Sequence, residues 1–137
     1  MTEIKVVMGN KSGKSFQKLH DSSNLIGRKI GENIKGDIIG VAGYEFLITG
    51  GSDSAGFPMR KDIKIKRARI LARKGVGIKT NRKGQYIRKT VAGNTIEEKT
   101  AQVNLKVIKE GSKKLEDIFG TTNKGAKTNE KAAEAKS

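Results

Sequence analysis

The sequence predicts a mainly β chain: a small β-barrel-like domain with short helical turns and a disordered C-terminal tail. Three observations carry that expectation. Apolar residues recur with a period of two in several short runs, the spacing that places alternate side chains on one face of a strand. Seventeen glycines cut the chain into short pieces while proline occurs once, at Pro58, a pattern that suits tight turns and weakens helices. Of 137 residues, 34% are apolar and 4% aromatic, so the core must be small. Many short strands joined by glycine turns favour a barrel or sandwich.

The elements follow in order. Ile4, Val6 and Met8 alternate with Lys5 and Val7, and Gly9-Asn10 marks the turn after this first strand. Gly9 to Ser15 (Gly-Asn-Lys-Ser-Gly-Lys-Ser) looks like a phosphate cradle, but three residues separate its glycines where four are needed. Phe16 to Asn24 also lack a helical stripe, so a basic hairpin turn is expected there; a nucleotide-binding enzyme using Gly9 to Ser15 is the alternative. Ser23 or Asn24 is expected to cap a short turn through Leu25 and Ile26. Tyr44, Phe46 and Ile48 alternate with Glu45, Leu47 and Thr49 before Gly50-Gly51, the second strand. Ile63 and Ile65 alternate with Lys64 and Lys66, then the phase slips at Arg67 and resumes at Ala68 and Ile70, suggesting a bulge or bend. Ile87, Lys89 and Val91 form a shorter candidate. Ala101, Val103, Leu105 and Val107 make the clearest strand, and Lys113 to Phe119 could form one or two helical turns. These elements place one domain over residues 1–119. From Gly120 nothing larger than alanine is available to bury, so 120–137 reads as a flexible Lys/Ala-rich tail.

Several chemistries are excluded or unsupported. There is no cysteine, and the one histidine, His20, cannot build a multi-histidine metal site. His20 beside Asp21 lacks an oriented nucleophile and reads as a surface histidine near a turn. Glu97-Glu98 reads as a solvated face. No metal, cofactor, small-molecule substrate or catalytic constellation is expected. No apolar run approaches the roughly 20 residues of a membrane span, and Glu3 and Lys5 interrupt any signal-peptide core. The chain is expected to be soluble and cytoplasmic.

The charge is different in kind. Arg60 to Lys89 carries thirteen Lys and Arg residues against one acid, Asp62, so most of the formal +15 is concentrated in thirty residues. Crowded like charges repel, and that cost is tolerated when a polyanion neutralises them. Solubility would be served better by mixed charges. The candidate nucleic-acid contacts are Lys64, Lys66, Arg67, Arg69, Arg73, Lys74, Lys79, Arg82, Lys83, Arg88 and Lys89. Lys64, Lys66 and Arg69 are expected on one strand face, and Arg73-Lys74-Gly75-Val76-Gly77 and Arg82-Lys83-Gly84 set cations beside glycines that let amides approach a phosphate. Only Tyr86 among six aromatics lies in this stretch, so base stacking is expected to be minor. DNA and RNA are equally compatible with charge alone, which leaves a chromosomal DNA-binding protein as a rival.

Gly50-Gly51-Ser52-Asp53-Ser54-Ala55-Gly56-Phe57-Pro58-Met59-Arg60 closely resembles the signature of a ribosomal family, the sixth protein of the archaeal and eukaryotic small subunit. Arg82 to Ile96 (Arg-Lys-Gly-Gln-Tyr-Ile-Arg-Lys-Thr-Val-Ala-Gly-Asn-Thr-Ile) is a second match, and Gly111 to Gly120, with Leu115, Asp117 and Ile118, resembles the family's closing turn. The resemblance covers Met1 to about Gly120. It implies a β-barrel-like domain whose basic loops and strands sit on small-subunit ribosomal RNA beside neighbouring ribosomal proteins, in a short archaeal form. Within the signature, Gly50, Gly51 and Gly56 are expected to permit positive φ and close backbone packing. Asp53 is expected to bond nearby amides, and Phe57 to Met59 to plug the loop into the core.

Overall fold

The computed structural model describes residues 3–119. Seven strands form: β1 (Glu3–Gly9), β2 (Ser15–Asp21), β3 (Asn33–Lys35), β4 (Glu45–Asp53), β5 (Arg67–Ala72), β6 (Ile87–Ala92) and β7 (Thr100–Lys109). Five of them make one sheet in the order β2-β1-β7-β4-β3, curled into a half-barrel, while β5 and β6 form a separate two-stranded ribbon whose Ala92 also bridges to Met59. The central strand is β7, parallel to β1 on one side and antiparallel to β4 on the other.

The period-two pattern explains the packing. Phe16 pairs with Met8, Met8 with Leu105 and Leu105 with Ile48, so one apolar row crosses four strands. All four side chains are buried. Each contributes about 1.5–3 kcal/mol by leaving water. Ile4, Val6, Phe46, Val103 and Val107 fill the same concave face, and Ile39, Val41, Ile96 and Leu115 close it from the loops. Tyr44 stacks on Phe46 at 5.8 Å, and its hydroxyl donates to the Lys113 carbonyl at 2.6 Å. That bond ties Lys113 to the sheet just before a short helix over residues 115–119. The helix lies within the expected 113–119 turn.

Local expectations need correction in four places. Residues 10–14 do turn tightly between β1 and β2, but β2 itself is a strand the periodicity did not announce. The short turn after it is a 3-10 helix over Ser22–Asn24 preceded by Asp21, with no side-chain cap from Ser23 or Asn24. Ile63 to Lys66 are not strand: they turn past β6, with Asn94 N–H donating to the Ile63 carbonyl at 2.8 Å and Gly93 N–H to the Lys66 carbonyl at 2.9 Å. The phase slip at Arg67 therefore marks the start of β5 rather than a bulge within it. His20 is not a plain surface histidine, because its Nε2 is buried and has no hydrogen-bond partner among the described residues. The expected tail, 120–137, lies outside the described residues.

Candidate nucleic-acid interface

The β5–β6 ribbon is the framework of the basic segment. Its register sets Arg69 opposite Thr90, Ile70 opposite Lys89 and Leu71 opposite Arg88. Opposed residues share a face, and neighbours along a strand do not. Arg67, Arg69, Leu71 and Arg88 thus fall on one side, and Ala68, Ile70, Ala72, Ile87, Lys89 and Val91 on the other. Exposure follows this division in part: Arg67, Arg69, Leu71 and Arg88 are exposed, whereas Ala68, Ile70, Ala72 and Ile87 are half-buried and Val91 is buried. The exceptions are Lys89, exposed on the second face, and Thr90 and Ala92, half-buried and buried on the first. The first face shows its arginines to solvent, and the second packs inward except at Lys89.

The glycine-rich loop anchors the root of this ribbon. Asp53, buried at the end of β4, accepts the Ala55 and Phe57 amides on Oδ1 at 3.0 and 2.9 Å. Its Oδ2 accepts Arg67 Nε at 3.0 Å and Nη2 at 2.6 Å, while the Arg67 guanidinium lies 5.1 Å over the Phe57 ring. One carboxylate therefore closes the loop and holds the first residue of β5. Gly56 turns the loop with φ +86, whereas Gly51 is required by proximity, since a Cβ there would meet the Gln102 carbonyl oxygen at 2.2 Å. Gly50 does neither, contrary to expectation: its φ is not positive and a Cβ would meet nothing. Of the expected plug, Met59 is buried in the core cluster, whereas Phe57 and Pro58 are half-buried and lie outside it.

Removing the Asp53 carboxylate leaves two amides and a guanidinium without their acceptor. Asp53→Ala should cost about 2–3 kcal/mol, discounted because Arg67 keeps partial solvent access. Urea denaturation checks this, and a loss below about 1 kcal/mol would deny Asp53 its anchoring role.

The connection between the strands, residues 73–86, is tied down from the same side. Arg60 holds Asp62 through Nε at 2.9 Å and Nη2 at 3.0 Å, and its Nη1 donates to the Val76 carbonyl at 3.1 Å. The hydrogen bond from Arg60 lowers the Asp62 pKa, and the same bond raises that of Arg60. A carboxylate held low in the folded state stabilises it above the ordinary carboxylate range, and that support is lost as pH falls through the lowered value.

All eleven candidate cations are exposed. Arg69 and Arg88 share the outer ribbon face with Arg67 at its root, while Lys89 lies on the opposite face. Arg73, Lys74, Lys79, Arg82 and Lys83 occupy the connection, and Lys64 and Lys66 precede β5, so the expected grouping of Lys64, Lys66 and Arg69 on one strand is not realised. Three have protein partners: Lys66 reaches Glu97 at 3.8 Å, Arg67 is held by Asp53, and Arg73 Nε donates to the Tyr86 hydroxyl at 2.6 Å. The side chains of the other eight make no hydrogen bond or ion pair with a described residue. The expected bonds from nearby amides to Asp53 are present, but its hold on Arg67 and the role of Arg60 were not legible, because those partners are set by the fold.

Other candidate chemistry falls away. Gly9 to Ser15 is a hairpin turn: Asn10 N–H donates to the Lys14 carbonyl at 2.8 Å, and β2 follows where a phosphate cradle needs a helix N-terminus. That geometry overturns the nucleotide-binding alternative. A cleft of about 530 Å³ lies at the ribbon root, where Lys66, Arg67 and Lys99 are balanced by Asp53, Glu97 and Glu98, so it offers a phosphate no excess of positive charge. Among the described residues no group of acids and His20 could hold a metal, and no helix is long and apolar enough to cross a membrane.

Comparison with known proteins gives relatives that match most of the chain. The chain is 45% identical over 116 residues to the small ribosomal subunit protein eS6 of Methanocaldococcus jannaschii, covering 84% of this chain and 88% of that one. It is 47% identical over 121 residues to the eS6 of Methanothermobacter thermautotrophicus, covering 85% and 95%. Against the eS6 of Natronomonas pharaonis the identity is 38% over 124 residues, covering 88% and 96%. The family model described as ribosomal protein S6e matches residues 5–120, which contain both the half-barrel and the basic ribbon, and the chain belongs to that family.

Proposed function

We propose that this protein is a structural, non-catalytic constituent of the small ribosomal subunit, working in the cytoplasm to support translation. Its RNA contact is the arginine face of the β5–β6 ribbon together with the cations of residues 73–86. The observation that carries this reading is the set of eight exposed cations whose side chains lack a described protein partner, gathered on and around one two-stranded ribbon. In the family the protein is structural rather than enzymatic. Neutralisation of crowded phosphates is the mechanism, and neighbouring ribosomal proteins complete the site. Within it Arg67 acts as a positioning residue, since Asp53 already occupies its guanidinium.

Salt dependence tests the mechanism. Phosphate contacts release counterions, so six contacts on duplex-like RNA correspond to a slope of about −5 in log affinity against log salt, taking the B-DNA coefficient. Titration of ribosomal RNA fragments across a salt series measures it. A slope near −1 would contradict the proposal. Equal affinity for structured RNA and duplex DNA at the same salt would favour the chromosomal rival instead.

A further inference from the structure

Arg73 and Tyr86 flank the last paired residues of the ribbon, Ala72 and Ile87, just outside the strands. These two residues meet: Arg73 Nε donates to the Tyr86 hydroxyl at 2.6 Å, and the guanidinium lies 4.9 Å from the ring centroid. The ribbon's alternation, extended by one step on each strand, would set this pair on the side of Leu71, Arg69 and Arg88. Tyr86 is 52% exposed and Leu71, its diagonal neighbour across the strands, is 60% exposed. The arginine face thus contains an apolar step that nothing in the described chain covers, and its ring is already fixed by a guanidinium.

We infer that Tyr86, ordered by Arg73 and flanked by Leu71, is a stacking site for one unpaired nucleobase of the bound RNA. This rests on the RNA-binding reading above and deepens it from phosphate contact to a preference for a bulged or looped nucleotide. An aromatic ring cannot reach the stacked bases inside an A-form duplex, but an extruded base presents its whole face. Stacking and guanidinium–π attraction act on the same surface, and both tolerate any base identity. An apolar protein partner fits less well, because docking on Leu71 and Tyr86 would bury Arg69, Arg73 and Arg88 without anions. A nucleotide brings its own phosphates to those cations.

Binding is compared on two RNA duplexes of about 12 base pairs, one fully paired and one carrying a single bulged 2-aminopurine. The full chain should bind the bulged duplex about tenfold more tightly, with a change in 2-aminopurine fluorescence. Tyr86→Ala should abolish that preference while leaving the salt slope on the paired duplex unchanged, and Tyr86→Phe should retain it within about threefold because the ring remains. Equal affinity for the two duplexes, a preference that survives Tyr86→Ala, or one lost in Tyr86→Phe would each overturn the stacking site. Absence of salt-dependent binding to either duplex would instead sink the electrostatic reading on which it rests.

Discussion

Gly93→Ala is expected to cost at least about 3 kcal/mol and lower the melting temperature by about 10 °C or more. A Cβ at this position would lie 1.9 Å from the Ile65 carbonyl oxygen and 2.9 Å from its carbon, and both are backbone atoms that cannot rotate away. Relief requires residues 63–66 to withdraw, which breaks the bond from Gly93 N–H to the Lys66 carbonyl and loosens the start of β5. Gly56→Ala supplies the comparison. Its φ of +86 is strained for alanine, yet nothing lies within 4 Å of the new atom. It should cost only about 1–2 kcal/mol. Thermal or urea melts of the two variants separate proximity from strain, and equal losses would refute the steric account.

The second large effect concerns RNA. Replacing Arg69, Arg82, Lys83 and Arg88 together by glutamine should weaken binding at least about a hundredfold and flatten the salt slope by roughly 0.7–0.9 for each phosphate no longer neutralised. All four side chains are exposed and make no ion pair with a described residue. The melt should therefore shift little. The control removes the same charge elsewhere, at Lys5, Lys35, Lys106 and Lys109, which are exposed on the five-stranded sheet. Net attraction falls equally in both variants, but only the first strips cations from the ribbon and its connection. If both variants weaken binding alike, overall charge rather than this face carries it.

Much of the fold was legible because three strands obey the alternation strictly. In β1, β4 and β7 the residues Ile4, Val6, Met8, Phe46, Ile48, Val103, Leu105 and Val107 are all buried on one side. The strands that escaped notice lie at the sheet edges. There β2 commits one fully buried apolar residue, Phe16, and β3 one, Ile34, so neither produces a repeat. Ile63 and Ile65 mimic a strand without forming one, and Ile65 ends up 61% exposed. Propensity alone could not detect that the backbone here is claimed by Gly93 and Asn94.

The site was legible in content and not in arrangement. Thirteen cations in one segment are visible without a structure, as is the glycine-rich signature. Which face each cation takes depends on the β5–β6 register across residues 73–86, and Arg69 and Lys89 separate onto opposite sides because of it. The diversion of Arg67 to Asp53, fourteen residues away, is equally invisible to composition. Base stacking was expected to be minor because Tyr86 stands alone in the sequence. Its pairing with Arg73 is what gives the lone ring a fixed pose.

The place of β7 between β1 and β4 governs how the protein can be born. During synthesis the first strand and the middle strand emerge with no shared neighbour, and the apolar row from Phe16 to Ile48 stays split until Leu105 arrives. Such distant pairing makes closure late and slow. The arginine hairpin, in contrast, follows its Asp53 anchor in the chain and is complete before β7 is made, so each newborn molecule passes through a stage in which its charge outruns its architecture.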